Sequence, residues 1–155
     1  MAKSETYTKI HKQLEDFLST YDPPIQPVAV MSTICSLIKT NFPSFVFVGF
    51  YISRKVAGRD LLEIGPYQGT ILACARIEYQ NGVCGAAATA KTTQIVNDVC
   101  TFDNYIACDQ ETKSEIVVPL IRDNQVVAVL DIDSDQKDYF TEEDQVYLEK
   151  LLEFL

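Results

Sequence analysis

Two strongly apolar segments joined by a tight turn limit the folds open to this chain more than any other part of its sequence. Residues 115–121 and 125–132 are rich in Val, Ile and Leu, and the pair Asp123-Asn124 between them favours a short β-turn. These segments predict a β-hairpin. A third, β-branched and aromatic segment at residues 45–52 predicts another buried strand. Because hairpin connections make neighbouring strands antiparallel, the sheet should be antiparallel.

Helical patterns precede, interrupt and follow these strands. Residues 6–21 carry apolar side chains at helical spacing, and residues 27–41 predict a second helix that begins at a proline. An Ala-rich stretch that opens at Gly82 predicts a short third helix. Thr141 is the expected N-cap of the last helix.

The segments between the strands predict shorter elements. We expect a polar hairpin loop at 53–60, a return strand at 61–64 and a turn at residues 65–66, which are Gly-Pro. Residues 71–79 predict a third strand. Residues 97–113 are long, polar and irregular, which is typical of a functional loop.

The order of these elements predicts one α+β domain over residues 1–155, with helices packed on a central antiparallel sheet. Its parts would be two N-terminal helices in 6–41, a sheet core in 45–134 and a C-terminal helix in 141–155. The hydrophobic fraction of 47 % is enough to bury a core.

The charge balance narrows the classes of partner. Lys and Arg number 13 and Asp and Glu 22, so the formal net charge is −9. Such a chain is a poor candidate for binding nucleic acid or an anionic membrane, and a better one for a cationic or zwitterionic small ligand. The polar N-terminal residues contain no secretory pattern, and no apolar stretch is long enough to span a membrane. We therefore expect a cytoplasmic protein.

The sequence predicts no metal site. Its single histidine, His11, lies on the polar side of the first helix and is expected to be a solvated surface residue. The five cysteines include no Cys-x-x-Cys pair and match no zinc-ribbon spacing. Cys35 is expected in the core, and Cys100 has no evident function.

Three other cysteines are candidates for thiol chemistry. Cys84 lies at a predicted helix N-terminus, where the dipole favours the reactive thiolate, and tight packing at this junction is an equally good explanation. Cys108 lies in the long loop beside Asp109, whose charge would raise the pKa of the thiol. On its residues alone, Cys74 is best explained as a buried filler on a strand.

Three acidic residues form a second candidate group. Asp131 and Asp133 are two apart on a predicted strand, so both side chains should point to the same face. With Glu115 on the partner strand, they would hold an ammonium group or share a proton. The alternative is that the strand ends near Asp131 and the acids are solvated.

These residues lie in motifs that resemble the free methionine-(R)-sulfoxide reductase family, single-domain enzymes with a GAF-type fold. The resemblance covers nearly the whole chain, and Cys74, Cys84 and Cys108 stand at the family's spacing. The matching stretches are Gly49-Phe50-Tyr51, Gly65-Pro66-Tyr67-Gln68-Gly69, Ala73-Cys74-Ala75-Arg76-Ile77, Gly82-Val83-Cys84-Gly85, Ile106-Ala107-Cys108-Asp109, Ser114-Glu115-Ile116-Val117-Val118-Pro119-Leu120 and Val129-Leu130-Asp131-Ile132-Asp133-Ser134.

The resemblance implies a thiol reaction on free methionine (R)-sulfoxide without metal or organic cofactor. A thiolate would attack the sulfoxide sulfur, methionine would leave, and the resulting sulfenic acid would condense with a second thiol to a disulfide that thioredoxin reduces. By position, Cys108 would be the nucleophile, Cys74 its resolving partner and Cys84 a further redox residue. The helix-terminus argument instead favours Cys84 as nucleophile, so the two lines disagree.

The same resemblance implies a substrate site. The acids at 115, 131 and 133 would bind the ammonium group and orient or protonate the sulfoxide, which restricts the substrate to the free amino acid. Three aromatic side chains would form a wall for the methyl-sulfinyl group: Phe47, Tyr51 and Tyr67.

Two positions depart from the family pattern. Phe47 stands where the family usually has Trp, and Tyr105 stands where it often has His.

The main alternative to a reductase is a non-catalytic GAF module that senses a small molecule, and a further one is an inert domain whose cysteines are core fillers. The exposed first helix pair would allow homodimerisation.

Overall fold

The computed structural model describes residues 2–155, and over these the chain forms a six-stranded sheet and four α-helices. The helices are α1 (Lys3–Leu18), α2 (Pro27–Asn41), α3 (Gly82–Ala90) and α4 (Glu142–Leu152). The strands are β1 (Phe45–Val56), β2 (Arg59–Gly69), β3 (Arg76–Glu78), β4 (Gln94–Val96), β5 (Ser114–Arg122) and β6 (Gln125–Ser134). Neighbouring strands pair antiparallel in the order β3-β2-β1-β6-β5-β4. The predicted α+β class with a central antiparallel sheet is confirmed.

Several turns and helix ends predicted from local sequence patterns are confirmed. Asp123 and Asn124 both have positive φ, of 50° and 59°, as the turn of the β5–β6 hairpin requires. Pro27 opens α2, and Thr141 is the N-cap of α4, with its backbone N–H donating to Asp144 Oδ2 at 2.8 Å. The first helix runs from Lys3 to Leu18 rather than over 6–21.

The polar loop expected at 53–60 is instead a regular hairpin. β1 continues to Val56 and β2 begins at Arg59, with Ala57 and Gly58 as a two-residue turn with φ of 51° and 79°. The prediction was wrong because the polar side chains at this edge pair across the two strands, as in Arg54 Nε to Glu63 Oε2 at 3.1 Å.

The turn expected at residues 65–66 is also absent from the described chain. Gly65 and Pro66 lie inside β2, next to the register shift between Gly49 and Tyr51 of β1. Since β3 pairs only with residues 61–63, Pro66 lies on an open edge where no ladder hydrogen bond is lost. The strand expected over 71–79 shortens to Arg76–Glu78.

Alternation along the strands separates two faces. Ala128, Leu130 and Ile132 of β6 are fully buried in a core with α1, α2 and α4. Asp131 and Asp133 alternate with these apolar residues and point to the opposite face, which α3 and the 97–113 segment cover. The sheet therefore separates an apolar core from a cavity. None of the described helices has the length and apolar character needed to cross a membrane.

Candidate functional site

A small cavity lies between the second face of the sheet, helix α3 and the 97–113 segment. Its wall is partly aromatic and aliphatic, with Phe47, Tyr51 and Ile106 among the lining side chains, and its other side carries carboxylates and thiols. The expected site residues that line it are Phe47, Tyr51, Cys84, Cys108, Glu115, Asp131 and Asp133. These residues were predicted from the sequence as one site, and they lie together in the structure although they are far apart in the chain.

Three buried carboxyl groups form one side of this cavity. Glu115 of β5 lies directly opposite Asp133 of β6, and Asp131 is two residues along the same strand. Their exposed fractions are 5 %, 8 % and 6 %, so the alternative of solvated strand-end acids is wrong. Asp131 Oδ1 and Asp133 Oδ1 have no hydrogen-bond partner within residues 2–155. Unpartnered buried carboxylate oxygens are costly, which points to a cationic or hydrogen-bond-donating ligand.

The environment holds protons on this cluster near neutral pH. Burial, reinforced by the charge of Asp131, raises the pKa of Glu115 and that of Asp133 well above their ordinary values. Burial also raises the pKa of Asp131 to about 7. Carboxyls this close cannot all ionise cheaply, so the group shares protons and offers both an ionised and a protonated member.

A disulfide links Cys74 to Cys108, which lines the cavity. The Cα atoms are 5.8 Å apart, and 34 residues separate the two cysteines in sequence. Cys74 is half-buried in the irregular segment before β3, so its interpretation as a strand filler is wrong. The bonded pair is the one that the family resemblance implied.

Asp109 has a role that the sequence analysis missed. Its carboxylate accepts hydrogen bonds from the backbone N–H of Glu111 at 2.5 Å, and from the N–H and hydroxyl of Thr112 at 2.7 and 2.8 Å. It therefore organises the turn that follows Cys108. The signal was present in the sequence, because an Asp side chain in a loop commonly accepts a hydrogen bond from the backbone N–H two residues further on.

Cys84 is free and fully buried in the third position of α3. Burial, together with the charges of Asp131 and Glu115, raises the pKa of its thiol well above the ordinary value. Burial and these charges therefore favour the neutral thiol, which agrees with tight packing rather than with a reactive thiolate at this helix N-terminus. A helix dipole contributes up to about 2 kcal/mol, which desolvation and two neighbouring carboxylates outweigh here.

Tyr67 lies outside the cavity lining. It is 36 % exposed and stacks on Phe47, with ring centroids 5.5 Å apart. A Cβ at Gly49 would lie 2.5 Å from the Phe47 ring and 2.7 Å from Tyr67 Cβ, so glycine permits this stack. Tyr67 thus supports the aromatic wall from behind, while Tyr105, one of the two departures from the family pattern, lines the cavity itself.

Two other predictions concern residues away from the cavity. Cys35 is buried in the apolar core, as expected. His11 is half-buried, with Nε2 3.0 Å from the carbonyl oxygen of Tyr147, so the expectation of a solvated side chain is wrong. Its ring lies near Tyr147 and Phe154, and it serves the packing of α1 on α4.

The fold and the acid-lined cavity define a GAF-type domain, and the model of the GAF domain family matches residues 26–154. The chain is 37 % identical to a free methionine-R-sulfoxide reductase of Escherichia coli over 98 % of its length and 87 % of the relative's. It is 40 % identical to one of Saccharomyces cerevisiae over 92 % and 83 %. A crystal structure of free methionine-R-sulfoxide reductase from Neisseria meningitidis with its substrate aligns with a TM-score of 0.90 and 34 % identity, covering 99 % of this chain and 88 % of that one. The chain belongs to the free methionine-(R)-sulfoxide reductase family of GAF domains.

Proposed function

We propose that this protein reduces free L-methionine (R)-S-oxide to methionine, with Cys108 as the nucleophile and Cys74 as the resolving thiol. The observation that carries this proposal is the Cys74–Cys108 disulfide beside a cavity lined by three buried carboxyls. A disulfide at this place is the product that a sulfoxide reduction would leave. The names of the relatives support the same reaction.

The cavity suits a small zwitterion with an apolar tail. The ammonium group of the substrate would satisfy the unpartnered oxygens of Asp131 and Asp133, and Glu115 would complete its surroundings. The methyl-sulfinyl group would pack against Phe47 and Tyr51. A methionine inside a polypeptide lacks the ammonium group, so it would leave buried carboxylates without partners and be rejected.

The chemical steps balance without an organic cofactor. The Cys108 thiolate attacks the sulfoxide sulfur, the oxygen takes a proton and is transferred to the thiol sulfur, and methionine leaves with Cys108 as a sulfenic acid. The Cys74 thiol then displaces hydroxide from that sulfenic acid, forming the disulfide and releasing water.

Different carboxyls of the cluster would bind the substrate and donate the proton. An ionised member binds the ammonium group, and a protonated member donates to the sulfoxide oxygen. Asp131, with a pKa of about 7, ionises most readily and suits the ammonium group, whereas burial and the charge of Asp131 hold the pKa of Glu115 well above its ordinary value, which suits the proton donor.

We assign the reduction of the disulfide to thioredoxin acting in the cytoplasm. Both cysteines are only half-buried, so an attacking dithiol protein can reach the bond. A second copy of the chain is a further partner, since Phe17, Tyr21 and Val28 expose apolar surface near the first two helices.

A single-turnover experiment tests the assignment of the cysteines. Reduced protein, freed of reductant, is mixed with free methionine (R)-sulfoxide, and the methionine formed is quantified. Cys108→Ser should lower its rate of formation at least about 1,000-fold, as expected for loss of a nucleophile. Cys74→Ser should still form one equivalent and leave a sulfenic acid that dimedone traps.

Cys100→Ser is the matched control, because Cys100 is exposed and lies outside the cavity lining. It should form methionine at the rate of the unmodified protein. Near-normal methionine formation by Cys108→Ser would remove Cys108 from the role of nucleophile.

A further inference from the structure

The proposed reaction uses Cys74 and Cys108 and gives Cys84 no step. Yet Cys84 is not isolated in an apolar core. Its sulfur, one carboxylate oxygen of Glu115 and one of Asp131 all lie within 4.8 Å of one another. All three residues are buried and line the cavity, so this thiol lies among carboxyl oxygens.

The same cluster contains polar atoms without partners. Asp131 is 6 % exposed and Asp133 is 8 % exposed, and one oxygen of each accepts no hydrogen bond from any described residue. An ammonium group would satisfy the oxygens, but it has no need of a sulfur ligand. A soft sulfur donor together with two hard oxygen donors is instead a ligand set for a metal ion.

We propose that Cys84, Glu115 and Asp131 form a binding site for a thiophilic divalent cation of the Zn²⁺ class. Such ions accept one thiolate and two carboxylates at distances of about 2.0–2.3 Å, so the three ligand atoms, now within 4.8 Å of one another, would draw closer when the ion binds. The cavity leaves a fourth position open to water or to Asp133. On binding, Cys84 loses its proton to solvent and supplies the thiolate.

The donor set also discriminates between ions. Mg²⁺ and Ca²⁺ prefer six or more oxygen ligands and gain little from a sulfur atom. Zn²⁺, Cd²⁺ and Co²⁺ accept the mixed set. The ion would occupy the carboxylates that the substrate ammonium needs, and this consequence rests on the proposed function: the substrate-free protein would be open to block by thiophilic metals.

The test uses the oxidised protein, in which the disulfide removes Cys74 and Cys108 as ligands. Metal-free protein is titrated with Cd²⁺, and the ultraviolet thiolate-to-Cd²⁺ charge-transfer band is recorded. One equivalent should saturate the band. Cys84→Ser should abolish it and weaken binding at least about 100-fold, since loss of an outer-shell partner alone costs 10- to 100-fold. Co²⁺ should give the visible spectrum of a four-coordinate site.

Two further variants make the result specific. Cys100→Ser removes an exposed thiol and should leave the titration unchanged. Asp131→Asn keeps the thiol and removes one oxygen ligand, so it should also weaken Cd²⁺ binding and serves if Cys84→Ser fails to fold. No band in the unmodified protein, an equal band in Cys84→Ser, or loss of the band in Cys100→Ser would overturn the site.

Displacement by substrate tests the shared carboxylates separately. The Cys74→Ser/Cys108→Ser double variant cannot turn over, and free methionine (R)-sulfoxide should release Cd²⁺ from it. If the unmodified protein turns over this substrate and Cd²⁺ stays bound in the double variant, the sharing is overturned and the reductase function stands. If turnover is absent while the Cd²⁺ band is present, the proposed function fails and the metal site stands.

Discussion

At the scale of single residues, the cavity is dominated by one unusual arrangement. Three carboxyls and a thiol lie together on a buried face, and two of the carboxylate oxygens lack a partner among residues 2–155. Such a group lowers the stability of the empty protein and increases its affinity for a cation. Ligand binding and folding stability should therefore respond in opposite directions when one of these charges is removed.

Asp133→Asn tests the binding side of this argument. Loss of one charged acceptor for the ammonium group should lower kcat/KM for free methionine (R)-sulfoxide about 100-fold, which corresponds to about 2.7 kcal/mol. Alkylation of reduced Cys108 should continue at its normal rate. Asp60→Asn, at an exposed Lys55–Asp60 pair on the far hairpin, is the control. Unchanged kcat/KM in Asp133→Asn would show that this carboxyl does not touch the substrate.

The dependence of folding stability on pH tests the second part of this argument, the effect of the buried carboxyls on stability. Burial raises the folded-state pKa of Asp131 to about 7, above its ordinary value. A raised folded pKa means that the folded protein binds the proton more tightly, so this contribution is fully present below about pH 4 and is lost as the pH rises through 7. Asp131→Asn carries no such charge. Its free energy of unfolding, relative to the unmodified protein, should therefore increase by at least about 1 kcal/mol between pH 5 and pH 8.

This measurement requires oxidised protein in a metal-chelating buffer, so that neither thiol chemistry nor a bound ion contributes. Urea denaturation at each pH gives the two free energies. A relative stability of Asp131→Asn that stays constant or falls over this range would contradict the buried, proton-sharing cluster.

At the scale of the elements, α4 is fixed to the domain through one buried carboxylate. Asp144 accepts from Tyr7 Oη at 2.9 Å, from Lys3 Nζ at 2.9 Å and from the Thr141 backbone N–H at 2.8 Å. It is fully buried. The side chain therefore caps α4 and joins it to α1 at the same time.

Asp144→Ala should destabilise the fold by about 3 kcal/mol, because it removes a cap and leaves the buried Tyr7 hydroxyl without an acceptor. Denaturant unfolding measures this loss. Glu143→Ala, one residue earlier and exposed, should change stability by less than about 0.5 kcal/mol. A similar effect of both substitutions would show that the buried network contributes little.

The elements also show what local sequence signals decide. The β5–β6 hairpin, the entry of α2 and the cap of α4 depend on neighbouring residues, and the sequence predicted each of them. Gly65 and Pro66 were mistaken for a turn, because their place in β2 depends on a register shift opposite Gly49 and on an unpaired edge. Such features depend on the partner strand, which a local pattern does not contain.

At the scale of the whole molecule, the sheet separates the apolar core from the candidate functional site. Helices α1, α2 and α4 bury one face, and the other face carries the acids beneath α3 and the 97–113 segment. Alternation along β6 predicted that Asp131 and Asp133 share a face. It did not predict that both would be buried, because burial depends on distant segments that cover them.

The Cys74–Cys108 pair shows even more clearly that local sequence patterns do not predict contacts between distant segments. Cys74 and Cys108 are 34 residues apart, lie in irregular segments and come together only when the 97–113 segment folds over the sheet. Spacing alone left Cys84 as an equal candidate, and the family resemblance pointed to Cys108. In the structure Cys84 is buried among carboxylates and Cys108 is bonded to Cys74, which supports the proposed role of Cys108.

The most direct test of the account is the substrate selectivity of turnover. NADPH consumption is measured with thioredoxin and thioredoxin reductase on three substrates: free methionine (R)-sulfoxide, the free S epimer and a peptide that contains the R-sulfoxide. The expected result is turnover of the free R epimer alone, because only it presents both the ammonium group and the correct sulfoxide face to the cavity. Equal turnover of the peptide, or no turnover of any substrate by folded protein, would contradict it.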